Sequence, residues 1–170
     1  MSLGTDRRDL SSSVGLFISI LVRYPEVGTI RFDPKSQTLS FTFLLRSTGC
    51  ISDEHFAETV RESLEAYSII EGAPIGTFAL RTVAENGIAV LEITRDAASL
   101  SQAELALLVG LVRERFADEL IIDDADAPGE EDLLEQDELI REMLADLQDG
   151  QPERNLIAFR DGGRVLVFNK

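Results

Sequence analysis

The pair Asn86-Gly87, set between two apolar runs, constrains the fold of this chain more than any other feature of the sequence. The runs are TFALRTV before the turn AENG and IAVLEIT after it. Asn and Gly tolerate the positive φ angles that a tight hairpin turn requires. Residues 77–94 are therefore predicted to form two antiparallel strands joined by a short turn.

Two further hairpins are predicted on similar grounds. Residues 27–45 contain an Asp-Pro turn followed by TLSFTFLL, in which apolar and polar side chains alternate with the period of a strand. Residues 155–168 contain two apolar runs around Asp-Gly-Gly. The nearly all-apolar run Val14–Val22 is interpreted as a central strand covered on both faces, which makes the first sheet segment a three-strand meander.

Three segments have the spacing of amphipathic helices. The first runs from an N-cap at Ser52 to about Glu71, the second from Ser101 to about Leu120, and the third over residues 132–147. Ser101 and Glu104 have the spacing of a capping box. The predicted core residues of these helices are Phe56, Val60, Leu64, Tyr67, Leu105, Leu108, Val112, Phe116, Leu133, Ile140, Leu144 and Leu147.

The predicted element order, βββ-α-ββ-α-α-ββ, indicates an α+β fold with helices against a largely antiparallel sheet. We divide the chain into a flexible N-terminal segment, residues 1–13, and an α+β core domain, residues 14–120. Residues 121–170 are predicted to supply an acidic connector, a helix and a C-terminal hairpin that pack on the core.

The charge of the chain limits its binding partners. Its 170 residues include 31 acids and 16 bases, a formal net charge of -15. Such a field repels phosphate, so neither nucleic acid nor a membrane surface is expected as a partner, and protein partners are favoured. The single cysteine, and an N-terminal apolar run without a cleavage site after it, predict a cytoplasmic protein.

The most acidic segment, Asp118–Leu139, holds eleven acidic residues and no base. Within it, Asp124, Asp126, Asp132 and Glu135 fall at positions one, three, nine and twelve of a helix–loop–helix calcium loop. These four carboxylates are the only metal-ligand candidates that the sequence offers. They leave open a regulator or enzyme that binds a divalent cation or a small molecule.

Two residues break this calcium pattern. Pro128 occupies position five, where an oxygen ligand is needed, and Glu131 occupies position eight, which is normally apolar. We therefore predict that the segment is a solvated connector leading into an acidic helix, and that no metal or other cofactor is bound.

The sequence indicates no catalytic residue. Cys50 precedes a predicted helix N-terminus and His55 lies nearby, which is the outline of a thiolate site, but no orienting Asn or Asp is identifiable. A structural role for Cys50 is favoured. With one histidine and one cysteine, the chain has too few such ligands for a zinc cage, and no catalytic-triad or nucleotide-binding motif occurs.

The stretch from IRFDPKSQTLSFTFLL through TFALRTVAENGIAVLEIT to LSQAELALLVGLVRERFADEL resembles the type III secretion chaperone-like fold, including the YbjN-type proteins. The likeness covers residues 14–120. It implies a non-enzymatic, chaperone-like or regulatory module that forms a homodimer and binds other proteins, with no catalytic residue. Only 13 residues precede the first predicted strand, so the helix with which that family begins is expected to be missing or very short.

Overall fold

The computed structural model describes residues 3–46, 53–122, 130–150, 154–161 and 164–169. These ranges form four helices and six strands, which confirms the predicted α+β fold. In chain order the elements are α1 (Leu3–Arg23), β1 (Val27–Asp33), β2 (Thr38–Arg46), α2 (Asp53–Glu71), β3 (Phe78–Glu85), β4 (Ile88–Asp96), α3 (Gln102–Arg115), α4 (Glu130–Asp149), β5 (Leu156–Asp161) and β6 (Arg164–Asn169).

All six strands belong to one antiparallel sheet with the order β3-β4-β2-β1-β5-β6. The three predicted hairpins are the pairs β1–β2, β3–β4 and β5–β6. The C-terminal hairpin joins the main sheet because β5 pairs with β1, with Ile30 opposite Ala158. The segment 121–170 therefore contributes two strands of the sheet, besides packing on the core.

The predicted first strand is wrong, since Val14–Val22 lies within α1. Leu16, Phe17, Ile20 and Leu21 are almost completely buried. The helix contacts β1, β5 and β6, and it also packs along α4. Because it is covered on more than one side, few of its residues face water and few need to be polar. A short apolar run does not distinguish a buried strand from a buried helix. Residues 3–13, predicted to be a flexible segment, form the first half of the same helix.

The opening meander is consequently a two-strand hairpin preceded by a helix. No helix within the described ranges is both long and apolar enough to cross a membrane.

The turn chemistry agrees with the sequence at the β3–β4 hairpin. Asn86 and Gly87 have φ angles of 54° and 81°, the left-handed region that a two-residue turn requires. In the β1–β2 turn the left-handed residue is Gln37, with φ 56°, a residue type that carries no turn signal. The predicted Asp-Pro turn chemistry is also present, since the N–H of Lys35 donates to the Asp33 carboxylate at 2.9 Å.

The helices bury the stripes predicted for them. Of the twelve predicted core residues, ten are buried, and Tyr67 and Leu133 are half-buried. Helix α3 ends at Arg115, earlier than the predicted Leu120, because the chain turns there to run beside β2. The N–H of Arg46 donates to the carbonyl of Glu119 at 2.7 Å, and the N–H of Ile121 donates to that of Leu44 at 2.8 Å.

Candidate functional site

The two faces of the sheet differ in their covering. On one face, which we call the core face, alternate residues of β1, β2, β4 and β5 are buried beneath the helices: Ile30, Phe32, Leu39, Phe41, Phe43, Leu45, Ala89, Leu91, Ile93, Leu156 and Ala158. On the opposite face, which we call the open face, most side chains are half-buried or exposed. No described helix covers that open face.

One end of the open face is apolar across three strands. Leu44 on β2 lies opposite Val90 on β4, and Val90 in turn lies opposite Val83 on the edge strand β3. Ile88 begins β4 on the same face. Val83, Ile88 and Leu44 are all exposed although large and apolar. We call Leu44, Val83, Ile88 and Val90 the β2–β4 patch.

The other end of the open face is a second apolar cluster, Ile157, Phe159, Leu166 and Phe168, which we call the β5–β6 patch. Phe159 lies opposite Leu166, and Ile157 lies opposite Phe168. The rings of Phe159 and Phe168 stack with centroids 5.5 Å apart and an interplanar angle of 17°. The two rings pack against each other, and Phe168 remains exposed.

Between the two patches the open face is polar and internally paired. Glu92 accepts from Arg81 at 3.0 Å and lies 3.5 Å from Arg31. The hydroxyls of Ser40 and Thr94 share a hydrogen bond of 3.0 Å. Because these charges and hydroxyls have partners within the sheet, the centre of the open face offers little unpaired charge to a small ion.

A contiguous exposed apolar surface rimmed by polar residues is typical of a protein-interaction site. The open face has this character at both ends. Strand periodicity in the sequence places Leu44, Val83 and Val90 on the face opposite the core. The apolar character of that face could therefore be predicted from the sequence. The sequence does not reveal that this face lacks a helix, since that depends on where α1 and α4 pack.

The core face contains one buried charge cluster, centred on Arg95, whose side chain is 0% exposed. Its Nε and Nη2 donate to the Glu104 carboxylate at 3.2 and 2.5 Å, and Nη2 also donates to the Ser99 hydroxyl at 3.2 Å. Nη1 donates to the carbonyl of Thr77 at 2.8 Å and to Asp96. All five guanidinium N–H groups are therefore used, which makes the cluster structural and leaves no donor for a ligand.

Asp96 connects this cluster to the loop before β3. Its carboxylate accepts from the N–H of Thr77 at 2.9 Å and from the N–H of Ser99 at 3.1 Å. Burial alone raises the pKa of Asp96, but the hydrogen bonds from Ser99 and Thr77 and the charge of Arg95 outweigh it, and the pKa is lowered below its ordinary value. At Gly76 a Cβ would lie 2.5 Å from this carboxylate, so any larger residue there would displace the Asp96 side chain.

Only two of the four candidate calcium ligands lie among the described residues. Asp132 and Glu135 lie on α4 with exposed side chains, whereas Asp124 and Asp126 fall outside the described residues. Among the residues that the structure describes, no three or more acidic, histidine or cysteine side chains are arranged to hold a metal ion.

The helical half of the acidic segment packs against α1. Asp137 on α4 accepts from the Nε of Arg23 at 2.8 Å, and both side chains are partly buried. Met143 lies over Gly15, where a Cβ would be 3.1 Å from its methyl carbon. Helix α4, into which the segment leads, supplies Ile140, Leu144 and Leu147 to the hydrophobic core.

The candidate thiolate pair is only half described. His55 lies on the first turn of α2 with an exposed side chain, in a shallow depression with Glu54, Glu58 and Arg61. Cys50 lies outside the described residues.

No family model, curated protein or solved structure matches the chain.

Proposed function

We propose that this protein is a non-enzymatic module that binds other proteins, in a chaperone-like or regulatory role, through the open face of its sheet. The observation that carries the proposal is the β2–β4 patch, where Leu44, Val83 and Ile88 are exposed on a face that no described helix covers. Burial of such side chains on binding contributes roughly 25 cal/mol per Å² of apolar surface.

The charge of the chain supports a partner with basic residues around its contact surface. The excess of acids produces a negative field around the whole molecule, which speeds the approach of a positively charged protein. The patch then supplies the apolar contacts that hold the complex once it has formed. The binding is expected to weaken as salt concentration rises, because salt screens the attraction.

The resemblance to the type III secretion chaperone-like fold supports the same class of function. Helix α1 precedes the first hairpin, in the place where that family has its leading helix. The chain differs from the family by having two strands in place of the opening three-strand meander. A homodimer, which the resemblance implies, is part of this proposal, as is a cytoplasmic location.

A comparison of three baits tests the proposed surface. The wild-type chain, Val83→Lys and Ile69→Lys are each used to capture proteins from an extract of the native cells, and the captured proteins are quantified by mass spectrometry. Ile69 is a matched control because it is an exposed β-branched residue on α2, outside the β2–β4 patch. Both variants should fold, since each position is exposed.

The proposal predicts proteins that the wild type and Ile69→Lys capture equally and that Val83→Lys captures at least about tenfold less, equivalent to a loss of ~1.4 kcal/mol or more. If all three baits capture the same proteins in equal amounts, the β2–β4 patch is not the binding surface. If Ile69→Lys alone loses them, the binding surface lies on α2.

A further inference from the structure

Strand β6 is an edge strand whose central residues lack the features that normally prevent edge pairing. It forms one end of the sheet order, and its free side has no strand partner among the described residues. Its four central residues, Val165–Phe168, are all apolar, and they contain no charge, proline or glycine. Native edges are usually protected by such residues, and an unprotected apolar edge pairs readily with another strand.

The opposite edge of the same sheet is protected. Strand β3 carries Arg81 and Glu85 on the open face, and Arg81 is held over the sheet by Glu92. The two edges are otherwise similar, since each presents one exposed apolar side chain, Val83 on β3 and Phe168 on β6, both 55% exposed. The difference in charge indicates that β6, and not β3, is the edge suited to pairing.

We propose that β6 pairs antiparallel with β6 of a second copy of this chain, joining the two sheets into one. The sequence of β6 is complementary to itself in the register centred on Leu166. In that register Leu166 lies opposite Leu166 of the second copy, and Val165 lies opposite Val167.

On the open face, the same register sets Arg164 of each copy opposite Phe168 of the other. A guanidinium above an aromatic ring is attracted to it, so each dimer gains two such contacts related by the twofold axis. The β5–β6 patches of the two copies also meet edge to edge. The stacked rings of Phe159 and Phe168 then lie within a continuous apolar surface that crosses the twofold axis.

The charge distribution favours contact through this edge. Residues 154–170 contain four bases and one acid, whereas residues 1–153 contain 12 bases and 30 acids. Two copies that meet at β6 keep their acidic surfaces apart, while any contact through α2 or α4 brings like charges together. The C-terminal hairpin is thus the part of the chain where a second copy meets the least repulsion.

Sedimentation velocity of the full chain tests the pairing over roughly 1–100 µM, a range that covers micromolar dissociation constants. The wild type should pass from a mass of 18.7 kDa to twice that mass as concentration rises. Phe168→Lys should raise the dissociation constant at least about tenfold, and the matched variant Val83→Lys should change it less than about twofold. Circular dichroism establishes that each variant is folded.

A wild type that remains monomeric throughout, or a dimer that Phe168→Lys leaves intact, overturns the proposal. A dimer that Val83→Lys dissociates as well indicates pairing of open faces and overturns it too. If Phe168→Lys does not fold, Arg164→Glu takes its place, because it replaces the cation opposite Phe168 with an anion. An Arg164→Glu dimer as tight as the wild type again overturns the pairing.

A disulfide experiment tests the register. In a Cys50→Ser background, Leu166→Cys should form a covalent dimer under mild oxidation, because directly opposed Cα atoms about 4.5–5.5 Å apart are within disulfide reach. Val83→Cys in the same background should remain monomeric. Absence of the Leu166→Cys dimer excludes this register. The pairing rests on one part of the proposed function, the homodimer. Its failure is distinguishable from failure of the partner-binding surface, since capture of a partner depends on Val83 and self-association depends on Phe168.

Discussion

Removing Glu104 should destabilise the fold far more than removing another glutamate that also contacts arginine. Glu104 is the main counter-ion of Arg95, whose side chain is fully buried, and the Glu104 side chain is itself only 6% exposed. In Glu104→Ala, the Nε and one Nη2 hydrogen lose their acceptor with no access to water. Breaking a buried ion pair by removing one partner costs about 3–5 kcal/mol, because the remaining charge stays buried.

Arg95 keeps three partners in this variant, Asp96, Thr77 and Ser99, so the lower end of that range applies. A loss of about 3 kcal/mol should lower the melting temperature by roughly 6–12 °C in a chain of this length. The helix itself should be unaffected, because the N-cap hydrogen bond runs from the backbone N–H of residue 104 to Ser101.

Glu92→Ala is the matched control. Glu92 also contacts arginine, but its partners Arg81 and Arg31 are 66% and 49% exposed, so its removal should cost about 1 kcal/mol or less. Urea unfolding followed by circular dichroism measures both variants. Equal losses of stability in Glu104→Ala and Glu92→Ala would show that Arg95 reaches solvent and would refute the buried-charge reasoning.

Three further predictions concern the core, the pH dependence and the acidic segment. Phe41→Ala should cost about 3–5 kcal/mol in urea unfolding, because Phe41 is almost fully buried on the core face; a nearly unchanged melting temperature would contradict that placement. The lowered pKa of Asp96 contributes stability above about pH 4, its ordinary unfolded value, and this contribution disappears as pH falls through the lower folded value. The difference in unfolding free energy between the wild type and Asp96→Asn should therefore shrink on acidification. A difference that stays constant with pH would show that Asp96 is not the source of the pH-dependent stability. Calorimetric titration with calcium and magnesium should be flat, whereas saturable binding lost in Asp124→Ala and Glu135→Ala would establish a metal loop.

The elements with strong local signals could be predicted from the sequence. The β3–β4 hairpin follows from the conformational preference of Asn86 and Gly87, and the helical stripes follow from their spacing. Helix α1 could not be predicted in this way. Its apolar run satisfies either a strand or a helix, and the choice is made by the sheet and α4, which lie far away in the sequence.

The buried cluster was only partly visible in the sequence. Alternation along β4 places Arg95 on the same face as Leu91 and Ile93, so an arginine in the core was detectable. Glu104, in contrast, has the spacing of a capping-box residue. That spacing assigns its carboxylate to the helix cap, so the sequence does not indicate that it is the counter-ion of Arg95. The structure shows that its backbone N–H takes part in the cap while its carboxylate turns inward to Arg95. Only the packing of α3 on β4 reveals that second role.

The position of β1 between β2 and β5 has a consequence for synthesis of the chain. Strand β1 ends at residue 33, but β5, which covers its second side, begins at residue 156. At the usual rate of translation, about 5–20 residues per second, the synthesis of β5 follows that of β1 by on the order of ten seconds. During that interval β1 is itself the edge of a partial sheet, and α1 lacks packing partners that are still to be completed, namely α4, β5 and β6. The final hairpin thus completes the fold last. A chain that lacks this hairpin, including one still bound to the ribosome, leaves the second edge of β1 unpaired.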